Sequence, residues 1–240
     1  MAGSFKTEAV VLRSIRFGEA DRVLHLYSAE HGRVGAVAKG VRRTKSRLGG
    51  RLEPLARVRL VLHRGRGELC TVSAVDTVHA HAGAREHWTA LQHATQACDA
   101  VLKLFDSTDP NPAAYNLLCH KLALLHADPA GASPARLLAF RLKLLLAAGF
   151  APELGACASC GEGEGLGAFS PAAGGVVCAS CEAGSFPLDA GGHAFLVGAV
   201  GRPLAEAPEA DARALAQADR AIAETLEHHA HVRLRRVTTV

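Results

Sequence analysis

Aromatic rings are scarce in this chain: among 240 residues there are one Trp, two Tyr and eight Phe. A binding surface built from many stacked rings is thereby excluded, and the first eighty residues offer only Phe5, Phe17 and Tyr27. Long apolar runs are missing too. The richest stretch, Leu142 to Phe150, is interrupted by charge and falls well short of the ~20 residues that a membrane-spanning helix needs. The opening residues Met1 to Glu8 have no apolar core of a secretory signal, so the expectation is a cytoplasmic protein with no membrane partner. No Gly-x-x-x-x-Gly-Lys-Ser/Thr loop, dinucleotide fingerprint, nucleophile elbow or His-Glu-x-x-His motif occurs. ATP hydrolysis and the common catalytic constellations therefore lack support, and the chain reads as a non-enzyme.

One further absence is local. From Ala151 to Gly201 there is no Lys or Arg, while Glu153, Glu162, Glu164, Glu182 and Asp189 supply negative charge, a surface that repels phosphate. The opposite holds at the other end. Residues 1–80 carry fifteen Lys and Arg against seven Asp and Glu, a net of +8; the remainder carries twelve against sixteen, a net of −4. Lys39, Arg42, Arg43, Lys45, Arg47 and Arg51 crowd a segment with no acidic residue between His31 and Leu52, and Arg57, Arg59, Arg64 and Arg66 extend it. A field of that sign concentrates polyanions before any specific contact forms. Nucleic acid is the expected partner and an anionic membrane, for which no amphipathic basic helix speaks, the weaker alternative; binding should run through phosphates with little regard to sequence.

The 240 residues suggest two domains, and 49% apolar with 21% charged residues is the balance of a folded, soluble chain. From Phe5 to Asp76 the pattern is that of short strands. In Arg57 to His63, Val58, Leu60 and Leu62 alternate with Arg57, Arg59 and His63, as a half-buried strand requires. Similar runs cover Glu8 to Ile15, Arg22 to Ser28, Arg33 to Lys39 and Glu68 to Val75, with glycine-containing breaks between them. Five strands in about seventy residues predict a five-stranded OB-fold barrel over residues 1–80, a fold often used for oligonucleotides.

After Ala82 the period becomes helical, and residues 81–240 are expected to form an all-α domain, making the whole an α+β multidomain chain. Asn111-Pro112 and Ser133-Pro134 each set a capping side chain before a proline at the first helical position. The helix from Pro134 to Ala148 is apolar on most faces and Gly149 stands at its left-handed C-terminal cap. Leu215, Ala218, Ile222 and Leu226 mark the buried stripe of a last helix whose Asp and Glu residues are expected to face away.

Inserted at about 151–190 are two knuckles, Cys157-Ala-Ser-Cys160 and Cys178-Ala-Ser-Cys181, separated by seventeen residues. Two-residue gaps let both sulfurs of a knuckle reach one ion, and four cysteines complete a tetrahedral Zn²⁺ site with no position left for catalysis. Disulfide or reactive thiols are the rival uses and fit a reducing compartment less well. The zinc is expected to staple a glycine-rich excursion between helices. Cys70, Cys98 and Cys119 lie in apolar settings and read as small buried hydrophobes. The histidine pair His79 and His81 and the group His228, His229 and His231 read as ordinary surface or core residues.

An ordered series of segments then becomes informative: Glu8-Ala-Val-Val-Leu-Arg, Gly18-Glu-Ala-Asp-Arg, Glu30-His-Gly-Arg, Val37-Ala-Lys-Gly-Val-Arg, Ser46-Arg-Leu, Leu52-Glu-Pro, Arg64-Gly-Arg-Gly-Glu-Leu, and Phe140 through Pro152 into both knuckles. In this order they resemble the bacterial RecO recombination-mediator and DNA-repair family. The resemblance implies an OB-fold followed by a zinc-bearing helical domain. It also implies binding of single- and double-stranded DNA, annealing of complementary strands, and work with RecR, often RecF, in loading RecA onto DNA coated by the single-stranded-DNA-binding protein SSB. It implies no enzymatic activity and a place beside the nucleoid. A zinc-containing OB-fold factor acting on RNA is the alternative.

Overall fold

The computed structural model describes residues 3–44, 46, 48–65 and 67–237. They fall into two compact units, residues 1–131 and 132–240.

The first unit opens with five strands: β1 (Gly3–Phe17), β2 (Asp21–Ser28), β3 (Gly32–Ala38), β4 (Arg57–Arg64) and β5 (Cys70–His79). They close into a barrel in the order β1-β2-β3-β5-β4, with β1 returning to β4, the OB-like arrangement. Closure depends on the length of β1. Its first half pairs antiparallel with β4 and its second half with β2, and a register shift between Val11 and Arg13 bends the strand from one partner to the other. A short parallel pairing of β3 with β5, at Ala36 and Cys70, completes the ring. The predicted alternation in β4 holds: Val58, Leu60 and Leu62 are sealed inside with Leu24, Leu26, Val11 and Val72. Each such side chain removed from water stabilises the barrel by about 1.5–3 kcal/mol. Strand β5 starts two residues later than the Glu68 expected from sequence and runs four residues past Val75.

Three helices belong to the same compact unit: α1 (Ala82–Glu86), α2 (Trp88–Leu104) and α3 (Pro112–Ala127). Asn111 caps α3 as its sequence predicts, its side chain accepting from the Ala114 N–H at 2.9 Å. Glu8 on β1 ties this helix to the barrel, because its carboxylate accepts from the Tyr115 hydroxyl of α3 at 3.2 Å. Gly32 permits a second approach. Its φ of +54° and its missing Cβ let the backbone of Ser107 to Asp109 pass close by, and the Arg33 N–H donates to the Ser107 carbonyl at 3.0 Å.

The second unit contains α4 (Pro134–Ala147), α5 (Ala190–Gly201) and α6 (Ala212–Ala230), with a small sheet between α4 and α5 made of β6 (Leu166–Ser170), β7 (Gly175–Cys178) and β8 (Phe186–Pro187) in the order β7-β6-β8. Ser133 caps α4, and Gly149 takes φ +85° just beyond it. Leu215, Ala218, Ile222 and Leu226 of α6 are buried as the pattern predicts. Asp219 corrects the expectation that every acidic residue of this helix faces outward: it is 3% exposed and meets Arg141 and Arg236. It follows Ala218 on the buried side of the helix, where only inward-pointing cations make a carboxylate tolerable. Among the described residues, no helix is long and apolar enough to cross a membrane.

Candidate metal centre and nucleic-acid interface

The cysteine knuckles converge. The four Sγ atoms of Cys157, Cys160, Cys178 and Cys181 all lie within 4.8 Å of one another, and Cys160 and Cys178 are 3.7 Å apart. A tetrahedral zinc with Zn–S bonds of about 2.3 Å sets its sulfurs about 3.8 Å apart, so the cluster fits such an ion. Local backbone geometry explains the convergence. The Cys157 N–H donates to the Glu162 carbonyl at 2.7 Å and the Gly161 N–H to the Cys157 carbonyl at 2.8 Å, a turn that Gly161 closes at φ +81°. Cys178 ends β7 and Cys181 ends the 3-10 turn that follows it. Glu153 bridges to Gly175, where a Cβ would collide with the Glu153 backbone, so the glycine is what lets the first knuckle dock on β7.

The thiols differ in their readiness to ionise. Hydrogen bonding from the Cys178 backbone N–H, aided by those of Cys160 and Ser159, pulls the Cys157 thiol down to about 6. Hydrogen bonding to Cys160 and burial push Cys181 up to about 12. Crowding therefore favours one thiolate and resists four, which is the condition a divalent cation relieves. The cluster can hold a metal ion, and its four-thiol donor set is compatible with zinc. Elsewhere, Cys70 and Cys98 are buried, and burial pushes Cys98 up to about 12. Cys119 is only half-buried and hydrogen-bonds with Tyr115, which makes it less purely a packing residue than its sequence setting suggests.

The basic segment follows β3 and has a clear internal logic. Val41 and Leu52 are buried at 7% and 1% exposure and Leu48 packs beside them, so the apolar residues of the loop pack against the barrel core. The cations beside and between them are turned outward: Lys39, Arg42, Arg43 and Arg51 are exposed. The loop is anchored through backbone groups, the Gly40 N–H to Asp21 Oδ1 at 2.7 Å and the Arg42 N–H to the Ala20 carbonyl at 2.9 Å. Beneath it lies a cavity of about 260 Å³ lined by Arg22, Val41, Arg42, Gly50, Leu52 and Glu53. Lys45, Arg47 and Arg66 fall outside the described residues.

The other basic candidates are in different circumstances. Arg57 donates to Glu8 at 2.6 Å and Arg59 lies 3.5 Å from the same carboxylate. Arg64 stacks over Phe5 at 5.1 Å. Arg51 donates to the Val75 carbonyl at 3.2 Å. Lys39, Arg42 and Arg43 have no carboxylate within ion-pair distance among the described residues. The neutralising role of Glu8 was not legible from composition. Its signal is the β1–β4 register, which sets Glu8 directly opposite Arg59. The three barrel aromatics also separate: Tyr27 is fully buried, Phe5 is half-buried and Phe17 is 57% exposed.

Histidines gather in a way that spacing does not reveal. His79, His81 and His126 bring their rings to within 4.3, 4.6 and 6.4 Å of one another. His81 is 2% exposed and its Nδ1 bonds to the Leu55 carbonyl at 2.8 Å. Burial pulls its pKa down to about 4 against that hydrogen bond, with His79 and His126 adding to the fall.

A closed five-stranded barrel with an outward-facing basic loop, followed by a helical unit carrying a four-thiol module, defines the class: an OB-barrel protein with a metal-competent helical C-terminal part. Comparison with known proteins narrows this. The family model described as recombination protein O N terminal matches residues 1–81, and that described as recombination protein O C terminal matches residues 85–237. The chain is 39% identical over 233 residues to the DNA repair protein RecO of Rubrobacter xylanophilus, covering 93% of this chain and 92% of that relative. It is 36% identical over 243 residues to the DNA repair protein RecO of Anaeromyxobacter sp. strain K, covering 95% and 92%. It is 37% identical over 186 residues to the protein of the same name from Cutibacterium acnes, covering 75% and 74%. The chain belongs to the recombination protein O (RecO) family.

Proposed function

We propose that this protein is a non-enzymatic mediator of DNA repair and recombination that binds single- and double-stranded DNA and anneals complementary strands. In this reading it acts with RecR, and with RecF, to help RecA load onto SSB-coated DNA, in the cytoplasm beside the nucleoid. Residues 1–80 are the DNA-binding domain, residues 81–240 the helical domain, and one structural zinc ion sits on Cys157, Cys160, Cys178 and Cys181. The observation that carries the reading is the loop after β3. Val41 and Leu52 are buried while Lys39, Arg42 and Arg43 stand exposed with no carboxylate in ion-pair range among the described residues. Exposed cations without internal partners are free to neutralise phosphates and release their counterions. Lys45, Arg47, Arg51, Arg57, Arg59, Arg64 and Arg66 are proposed to extend the same surface, those held by Glu8 or Phe5 contributing less.

Annealing follows from the same chemistry. Cations that hold phosphates and leave base edges open screen the repulsion between two incoming strands, the main electrostatic obstacle to pairing. The exposed carboxylates Glu162, Glu164 and Glu182 around the thiol cluster favour a structural role for the metal over a phosphate-binding one. The test is pairing of complementary oligonucleotides, bare or coated with SSB, without ATP and over a range of salt. Faster pairing that fades as salt rises is expected. Tight binding with no acceleration on either substrate would reduce the protein to a binding module, and preference for RNA in direct competition would redirect the reading to RNA.

A further inference from the structure

Among the described residues, the most exposed of the Phe, Tyr and Trp side chains lies outside the barrel. Trp88, the single tryptophan of the chain, is the first residue of α2 and is 71% exposed. Leaving an indole in water forgoes a burial that tryptophan ordinarily secures, and its neighbours His87 and Thr89 are exposed as well. The exit of the basic loop is tied to the chain a few residues before Trp88. Immediately after that loop, the Leu55 carbonyl bonds to His81 Nδ1 at 2.8 Å and the Pro54 carbonyl accepts from the Arg85 guanidinium. Arg85 is three residues before Trp88, so the indole stands within a few residues of the point where the loop's exit is bolted to the helices.

The surface running away from Trp88 is suited to a polyanion. Trp88, Gln92, Thr95, Asp99 and Lys103 recur at spacings of three and four, which lines them along one side of α2 opposite its buried alanines. Over the eleven residues from Trp88 to Asp99 the helix turns back to within about 20° of its starting direction and advances roughly 16 Å. Asp99 is held between Arg13 of β1 at 3.1 Å and Lys103 at 2.8 Å, two cations around one carboxylate. The strip is net positive at that end, polar and uncharged at Gln92 and Thr95, and aromatic at Trp88. Glu86 is the only carboxylate between Ala82 and Cys98. An apolar ring beside cations complements a ligand that is itself an apolar ring on an anionic backbone.

We propose that Trp88 is a base-stacking platform for the unpaired part of a nucleic acid whose phosphates the barrel loop holds, the Arg13–Lys103 end of α2, where two cations share Asp99, contributing less. The inference rests on the nucleic-acid reading above and adds to it a non-electrostatic contact specific for single strands. A base in a duplex is already stacked and paired, so Trp88 engages single-stranded DNA and leaves blunt duplex alone.

Because Trp88 is the only tryptophan, intrinsic emission of the full-length protein reports on it directly. Titration with an oligothymidylate is expected to quench that emission by about half or more, and titration with a blunt duplex of equal length to leave it nearly unchanged. Trp88→Ala is expected to weaken single-strand binding about fivefold or more, with duplex affinity and the salt slope for single strands unchanged because no charge is removed. Trp88→Phe, which keeps a ring, is expected to retain most of the affinity. Full single-strand affinity with no quenching, together with a Trp88→Ala protein equal to the parent, overturns the inference and leaves the barrel reading intact. Equal quenching by duplex also overturns it, as does a Trp88→Ala effect on self-association with none on strand binding. No binding to either nucleic acid overturns both.

Discussion

The Asp219 carboxylate lies 3.4 Å from the Arg141 guanidinium with both side chains only 3–4% exposed, and its second oxygen meets Arg236 at 2.8 Å. The pair joins α6 to α4, and Arg236, with the Val237 N–H donating to the same carboxylate at 3.4 Å, fixes the C-terminal segment on α6. Burial raises the Asp219 pKa against the opposing pull of Arg236 and Arg141. The ion cluster is therefore costly to build and more costly to break. Asp219→Ala should strip Arg141 of its counter-charge and destabilise the protein by about 3–5 kcal/mol. Arg141→Met combined with Asp219→Leu should cost much less than either change alone. Urea unfolding midpoints check both, and a double variant as weak as the single ones would show that the cluster stabilises in its own right.

Removing one ligand from the four-thiol cluster should empty it. Cys157→Ser or Cys178→Ser is expected to bring the metal content from the proposed one zinc per chain toward zero by elemental analysis and to lower the melting temperature. DNA affinity should be largely spared, because the phosphate contacts are proposed on the barrel. A Cys157-to-Cys160 disulfide in freshly isolated protein would refute the assignment.

Charge reversal at the exposed loop should act on every DNA sequence alike. Arg42→Glu with Arg43→Glu is expected to weaken single-strand binding and to flatten the dependence of log affinity on log salt by about 1.4, taking 0.7 per lost phosphate contact. Arg57→Ala should behave differently. Its guanidinium is committed to Glu8, so the change should cost about 1 kcal/mol of stability and move the salt slope little. Equal effects of the two variants on the slope would show that Glu8 does not withhold Arg57 from DNA.

Acid should weaken the first unit through His81. Its ordinary pKa of 6.5 falls to about 4 in the folded chain, mainly by burial. Between those values the unfolded chain accepts a proton that the folded chain refuses, so stability falls as pH drops through that window and levels off below it. The loss amounts to roughly 3 kcal/mol or slightly more at full development. His81→Asn should flatten this dependence, because asparagine tolerates the left-handed backbone of residue 81, at φ 49°, and does not titrate. Denaturant midpoints from pH 8 to pH 4 check it, and an unchanged slope in the variant would place the acid sensitivity elsewhere.

Much of this molecule is written in local patterns. Alternation in Arg57 to His63 specifies which side chains of β4 face inward; Asn111-Pro112 and Ser133-Pro134 specify two helix starts; the cysteine spacing specifies a metal-competent cluster. Each is a property of a few neighbouring residues, and periods of two or 3.6 survive whatever the rest of the chain does. The small sheet that carries the second knuckle was not legible, since strands of two to five residues leave too short a period to detect and the module reads as a glycine-rich loop.

What tertiary structure alone decided is which charges are free. In the sequence Arg42 and Arg57 are equivalent basic residues of one positive stretch. The β1–β4 register, joining positions about fifty apart, delivers Glu8 to Arg57 and Arg59, while among the described residues no carboxylate comes within ion-pair distance of Lys39, Arg42 or Arg43. Likewise Asp219 becomes an internal anchor because α4 and the C-terminal segment present Arg141 and Arg236 to it, and Trp88 stays in water because α2 turns its alanines inward. The sequence alone determined the barrel strands, the capped helices, the sign of the N-terminal field and the four cysteines of the cluster. Neutralisation and exposure depend on pairings between distant segments, whose register no local period records.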